Sequence, residues 1–429
     1  MPTERSQDTL KDQSPRVWPE PVMGGKYVRL LEGYLQELRG EGEHGNRCLF
    51  LDDVFVAYLL AFFNPSVRSL RTVEDFSQTQ QAQKYLSIEK ICKSTLSDFN
   101  KLAEPQRLEA VIQALRSELS RKSGSPLPGN DLQALLKLTV AVDGTFLPAL
   151  ADVAWAVANA NNHGAVRYRA RLDVHLNVSS WLPEAIVIPD PGQSEADSAI
   201  QHLQPGCIYI YDRGFVSFAL IRAHYQETPT EEVPTSHFVL RFKREGSNSP
   251  KLQDPVDREL TEEDRAAGIV SDRVGYFTSD SACREGLSKI RLREVVLLYE
   301  ENGETKTLRL ITNLLDVSAT TVAILYRYRW QVELFFRWFK SFANFGHLIS
   351  SGREGVLTHL YVTMIAVLLM YLHTGHRPSK YLFALLSQVA LGTATLEEIL
   401  PILRERERRC ELDRQSAARR RAKKKSQSI

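Results

Sequence analysis

Residues 136–146 read LKLTVAVDGTF, and residues 207–215 read CIYIYDRGF. In the first stretch Leu138, Val140 and Val142, with Thr139 and Ala141 between them, lead to Asp143. In the second, Ile208, Tyr209, Ile210 and Tyr211 lead to Asp212. Short runs of β-branched and aromatic residues bounded by turn formers have the pattern of buried strands. Gly144 and Gly214 then permit a sharp exit from each strand. An Asp at the end of a buried strand projects into the crevice at the sheet edge, where open α/β sheets place their ligands. Taken singly, each Asp also fits a simple turn start.

A third stretch, residues 326–340, reads YRYRWQVELFFRWFK. Treated as one helix at about 100° per residue, it gathers Tyr326, Arg329, Glu333 and Lys340 within a stripe about 60° wide. Leu325, Val332, Phe335, Phe336 and Phe339 fall on an adjoining face, which must dock on a core and so holds the polar stripe still. One carboxylate flanked by cations on a rigid line suits metal binding beside phosphate. The competing explanation is a solvated helix face carrying i,i+4 charge pairs, Arg329 with Glu333 among them. Trp330 lies about 40° from Tyr326 on such a helix. That position suits either stacking on a base or deoxyribose, or packing in the core.

The order D-G-T, D-R-G-F and Y-x2-R-x3-E-x6-K resembles the DDE transposases of bacterial insertion sequences, in the insertion-sequence-four group. Tyr326, Arg329, Glu333 and Lys340 match the last signature position by position, and the similarity spans about residues 135–375. The resemblance implies an α/β fold with a ribonuclease H-like catalytic core. It makes Asp143, Asp212 and Glu333 the catalytic, metal-binding triad, with Tyr326, Arg329 and Lys340 holding a DNA phosphate near the cleaved end. All-oxygen donors without His or Cys suit two Mg²⁺ ions, for which Mn²⁺ would substitute. The implied activity is cut-and-paste transposition, with terminal inverted repeats and target DNA as partners and a homodimer in the synaptic complex. Two other activities stay open: a domesticated or inactive copy that only binds DNA, and a Mg²⁺-dependent nuclease.

Length and composition agree with two or three domains and a large core: 429 residues, 43% hydrophobic and 25% charged. The net charge of +2 does not by itself announce a nucleic-acid binder. Its distribution says more. From Arg404 onward there are 11 Lys or Arg against 4 Asp or Glu, a net of +7 that leaves about −5 for the remainder. Cys48, Cys92, Cys207, Cys283 and Cys410 lack C-x2-C spacing, so neither a zinc ribbon nor a disulfide framework is indicated. The most apolar window, residues 361–372, is too short to span a bilayer and reads as a buried helix. No signal-peptide core opens the chain, and a cytoplasmic protein without membrane contact is expected.

Residues 1–22 are expected to be a disordered leader and 23–130 a helical region that binds the DNA ends or merely packs on the core. The catalytic core is expected over 135–227 and 323–375. Within it residues 150–162 read as a helix, and ARLDVHLNV with PEAIVIPD reads as a strand pair. His175, inside that pair, is better explained as a packed or solvated side chain than as part of the site. Asp212 and Glu333 are 121 residues apart, too far for a simple crossover. Residues 228–322 therefore read as a β-rich insertion, with a hairpin centred on ENGE. Its best basic cluster is Arg241, Lys243 and Arg244, a candidate phosphate contact. C-terminal helices over 376–403 and a basic tail over 404–429 complete the expected order.

Overall fold

A computed structural model describes residues 24–39, 49–64, 66–102, 104–122, 131–147, 157–160, 166–190, 192–227, 232–243, 249–301, 303–343 and 352–374, with scattered positions between 381 and 416. The expected leader lies outside the described residues, as does most of the 376–429 segment. The chain divides into two compact units: residues 1–123 with 341–429, and residues 124–340.

The first unit is helical: α1 (Gly25–Leu30), α2 (Glu32–Arg39), α3 (Leu51–Phe63), α4 (Leu70–Ser77), α5 (Lys93–Leu102) and α6 (Leu108–Lys122). Nearly every residue of α3 is buried, including Asp52 and Asp53. Asp52 is paired with Arg39 at 3.1 Å, and Asp53 accepts the Phe50 backbone N–H at 3.2 Å. α4 begins at a Ser69 cap whose hydroxyl accepts from the Thr72 N–H at 3.2 Å.

The second unit opens with α7 (Asp131–Leu138), then β1 (Thr139–Leu147), β2 (Val157–Ala160), β3 (Val166–Asn177), β4 (Pro183–Val187), α8 (Glu195–Ile200), β5 (Ile208–Tyr211) and α9 (Phe218–Ala223). It continues with β6 (Tyr225–Glu227), β7 (Glu232–Pro234), β8 (His237–Phe242), β9 (Gln253–Asp257), α10 (Glu262–Ala266), β10 (Ile269–Tyr276) and α11 (Asp280–Arg284). β11 (Leu292–Glu301), β12 (Glu304–Thr312), α12 (Ala319–Arg327) and α13 (Trp330–Ala343) follow. The last long helix, α14 (Arg353–Thr374), belongs to the first unit and packs on α3, α5 and α6.

Among the described residues one sheet of ten strands runs in the order β2-β3-β1-β5-β8-β12-β11-β10-β9, with β4 also pairing β3, on the edge away from β1. β1, β5 and β8 are parallel to one another, and every other pairing is antiparallel. Both faces of the parallel strands are covered, which is why they read as near-continuous apolar runs. Val140, Val142, Tyr209, Tyr211, Phe238 and Leu240 pack on one face with α8 and α9. Ile208, Ile210 and Val239 pack on the other with α12. β9 to β12 extend the same sheet beyond β8, so the β-rich segment is continuous with the strands that carry the acids. Charged residues lie buried there as paired sets: Arg293 grips Asp272 through two bonds of 2.7 and 2.8 Å.

Four expectations need correction. Residues 157–160 are a strand, β2, held by antiparallel pairing with β3, where a helix was expected; the rest of that stretch is outside the described residues. Asp143 sits inside β1, because pairing with β3 carries the strand on to Leu147. Residues 326–340 are two helices and not one. The N–H groups of Tyr328, Arg329, Gln331 and Val332 bond three residues back, a tight turn that breaks the helical phase at Tyr328–Arg329. Finally, the apolar 361–372 window is a buried helix as expected, but the helix that contains it, α14, is 22 residues long where about 12 were expected. That helix is long and apolar enough to cross a membrane, and 78% of its most apolar window is buried within the protein.

α13 docks through Val332, Phe335, Phe336 and Phe339, all buried. Phe335 stacks on Phe339 with centroids 5.4 Å apart. Trp181, in the turn between β3 and β4, meets Phe335 and Trp338 edge-on at 6.0 and 5.8 Å, and its indole N–H bonds to Gln331. Trp181 has φ +64°, a left-handed conformation that costs a bulky residue roughly 1–3 kcal/mol. Its aromatic docking offsets that cost. Phe335→Ala is expected to destabilise the 124–340 unit by about 3–5 kcal/mol, read as a shifted denaturation midpoint in tryptophan fluorescence.

Candidate active site

In the parallel pair β1 and β5, Ala141 stands opposite Ile210. Two residues on, Asp143 and Asp212 are level and point to the same face, since side chains alternate along strands. β5 and β8 are aligned at Tyr211 and Leu240, which sets Arg241 level with Asp212. Asp143, Asp212 and Arg241 thus form a row across three neighbouring strands.

Side-chain geometry closes the row. Arg241 Nη1 lies 3.4 Å from Asp212 Oδ1, and the Tyr326 hydroxyl donates to that same oxygen at 3.1 Å. Glu333 arrives from the first turn of α13. Arg329 ties it to the row: Nη2 donates to Glu333 Oε1 at 2.7 Å, and Nη1 lies 3.6 Å from Asp143 Oδ2. Six sequence-predicted residues therefore meet in one cluster: Asp143, Asp212, Glu333, Tyr326, Arg329 and Arg241. Arg329, expected to face DNA phosphate, is held by carboxylates instead.

The remaining expectations fall elsewhere. Lys340 donates to Thr145 Oγ1 at 2.7 Å and to the Phe146 carbonyl at 3.3 Å, tying α13 to β1 just past Asp143. Lys243 is exposed beyond the end of β8, and Arg244 lies outside the described residues. Trp330 is 51% exposed, so it is not a core residue; the Arg337 guanidinium lies 5.6 Å from its ring centroid. His175 is buried against His202 and Tyr209, and burial lowers its pKa to about 3, so its ring is neutral.

Burial raises the Asp143 carboxyl to about 6. Arg329 and the Gly144 N–H pull the other way, and Glu195 and Glu333 add to the rise. At Asp212 burial is outweighed by the Arg213 N–H, Arg329, Arg241 and Tyr326, so its pKa lies below the ordinary value. Glu195, at the start of α8, is a neighbour that sequence reasoning missed. An acid in the first turn of a helix, directly after a Ser cap, reads as capping.

Among the described residues no three His, Cys, Asp or Glu side chains converge closely enough to enclose an ion. Arg329 occupies the place between Asp143 and Glu333. The donor chemistry nonetheless suits a hard divalent cation, since every candidate ligand is a carboxylate and burial strengthens their repulsion.

Residues 135–369 match the family described as "Transposase DDE domain". The chain belongs to this family of DDE transposases. Three relatives of this DDE transposase chain bear transposase names. One, named for insertion sequence element IS5377 of Geobacillus stearothermophilus, is 36% identical over 95 residues, 21% of this chain and 25% of that protein. The protein y4zB of Sinorhizobium fredii is 26% identical over 245 residues, 56% of this chain and 60% of its own length. A third, named for element IS4SA of Synechocystis, is 24% identical over 318 residues, 71% and 79% of the two chains. The chain thus spans less than two thirds of the first two relatives. A piggyBac transposase in a synaptic complex with hairpin DNA aligns at 12% identity and a TM-score of 0.40, covering 88% of this chain and 80% of that one. That likeness is too slight to add to the fold.

An acid whose pKa is higher in the folded state loses stability for the fold as pH rises from its ordinary 3.8 toward 6. In this DDE transposase chain Asp143→Asn removes that loss. In metal-free buffer the variant is expected to melt above wild type at pH 7.5, by on the order of 2 kcal/mol, with the gap closing toward pH 4.

Proposed function

We propose that this chain is a cut-and-paste transposase of the insertion-sequence-four group, acting on the ends of its own element through Asp143, Asp212 and Glu333. The observation that carries this reading is the level placement of Asp143 and Asp212 on adjacent parallel strands, with Glu333 brought to them through Arg329. The strand order β4-β3-β1-β5-β8, with β3 antiparallel and β5 and β8 parallel to β1, supports a ribonuclease H-like core.

Asp143, Asp212 and Glu333 would hold the divalent cations. Two Mg²⁺ ions, or Mn²⁺ in their place, supply positive charge at the phosphate and a more acidic attacking water. The protein's own groups position the DNA. Arg329 exchanges its carboxylate partners for phosphate oxygens, which its planar fork fits in a bidentate way. Tyr326 and Arg241 orient Asp212. Lys340 offers a point charge beside β1, and Lys243, exposed past β8, is a further phosphate contact, with Arg244 assigned the same role from sequence alone. Trp330, exposed on α13 beside Arg337, offers a ring for stacking on a base or sugar.

In the first step water attacks phosphorus, the P–O3′ bond breaks, and the leaving oxygen takes a proton to become a 3′-hydroxyl. In the second, that hydroxyl attacks a target phosphodiester, forms a new P–O bond, and releases a target 3′-hydroxyl. The partners are terminal inverted repeats and target DNA, with two copies of the chain in the synaptic complex and the cytoplasm as the compartment. Residues 23–130 are assigned to DNA-end binding, and the 404–429 tail to the DNA backbone.

A labelled duplex bearing the element's end, with Mg²⁺ or Mn²⁺, tests the reading. Wild type is expected to nick at the end, and Glu333→Gln to lose about a thousandfold or more of that rate while still binding in gel-shift assays. Binding without cleavage by wild type would mark a copy that only binds DNA. Cleavage without preference for the end would mark a nuclease.

A further inference from the structure

Glu195 carries a carboxylate that the proposed reaction does not use. It lies against two glycines. A Cβ on Gly144 would stand 2.6 Å from Glu195 Oε1, and a Cβ on Gly214 would stand 3.1 Å from Glu195 Oε2. Gly144 directly follows Asp143, and Gly214 is two residues past Asp212. One carboxylate therefore spans the points where both acid-bearing strands meet the site. Neither glycine has a left-handed φ, so backbone conformation does not require glycine at either place. Space does. The D-G and D-R-G patterns leave room for the Glu195 carboxylate, and at Gly144 also for Asp173, whose Oδ1 would lie 2.9 Å from a Cβ there.

The nearby cations are already engaged. Arg171 clasps Asp173 through bonds of 2.8 and 3.0 Å and donates to the Gln193 carbonyl at 2.8 Å. Arg329 serves Asp143 and Glu333, and Arg241 serves Asp212. Among the described residues no hydrogen bond or ion pair engages the half-buried Glu195 carboxylate. Five carboxylates (Asp143, Asp173, Glu195, Asp212 and Glu333) thus face three guanidiniums, leaving two negative charges. Unpaired charge shielded from water is costly. A divalent cation would offset this excess of carboxylates over guanidiniums. The backbone of Glu195 is also held in place: the Ser194 hydroxyl caps α8 by accepting the Asp197 N–H at 3.1 Å, and Ala196 and Ala199 are buried in the core.

We propose that Glu195 is a fourth carboxylate of the cation site, reaching it through the gap that Gly144 and Gly214 leave open. This rests on the cation site proposed for Asp143, Asp212 and Glu333.

Mn²⁺ binding to the full chain without DNA, followed by electron paramagnetic resonance, tests it against Asp143→Asn as control. Glu195→Gln and Asp143→Asn are each expected to weaken Mn²⁺ binding about 10–100-fold, and end nicking by Glu195→Gln to recover as Mn²⁺ is raised. Gly144→Ala keeps every acid but places a methyl where the Glu195 carboxylate sits. It is expected to weaken Mn²⁺ binding too, and it decides the question should Glu195→Gln fail to fold. Wild-type affinity in Glu195→Gln and Gly144→Ala, with loss in Asp143→Asn, would overturn the role of Glu195 alone. Unchanged affinity in Asp143→Asn would remove the cation site itself, and the fourth ligand with it.

Discussion

Negative charge held close together, partly out of water, is the constraint on which the 124–340 unit depends. Asp143 and Asp212 are forced side by side by strand register, and Glu333 is brought to them by a docked helix. Carboxylates so placed repel one another more strongly as water is excluded. The fold answers with guanidiniums aimed at them, Arg329 and Arg241 for these three and Arg171 for Asp173. The result is a cluster whose charges are compensated locally and incompletely.

Holding that arrangement still falls to apolar contacts some distance from the charges. The position of Glu333 is only as good as the seating of α13, and α13 is seated by Phe335, Phe339 and the indole of Trp181. Trp181 accepts a backbone conformation that its side chain disfavours in order to reach that place. On the sheet side, the parallel strands are covered on both faces, so neither β1 nor β5 can slip by one residue without turning an acid into the core. Packing and register, more than any direct bond, set the distances between the acids.

Sequence patterns go far where periodicity and burial coincide. β1, β5, β8, β10, β11 and β12 are all visible as apolar or alternating runs, and the β11–β12 hairpin is visible from ENGE. Alternation does not say which strand pairs with which, so the continuation of one sheet from β8 through β9 could not be read. Val157–Ala160 has no side-chain pattern of its own and is a strand because β3 offers it partners. The turn at Tyr328–Arg329 was hidden because a helical wheel keeps its phase across any sequence lacking Gly or Pro. At the site, the acids stand out by their place after apolar runs, whereas Glu195 looks like an ordinary helix start. Its partners are two glycines, and the absence of a side chain is a signal only once the space around it is known. For Trp330 the helical position left stacking and core packing both open, since exposure depends on where α13 sits.

The helical unit is built from two segments that flank the other unit in the chain, residues 1–123 and 341–429. That arrangement bears on synthesis. α3 is apolar around nearly its whole circumference, and α14, one of the helices that cover it, begins 290 residues after Phe63, at Arg353. At ribosomal speeds of about 5–20 residues per second, roughly 15–60 s separate the emergence of the two. During that interval α3 presents sticky surface that its eventual neighbour cannot shield, and a nascent-chain chaperone has a defined window in which to act. The same interval delays Glu333 until 190 residues after Asp143. A ribosome that stalls before Glu333 therefore yields a fragment lacking one of the three acids.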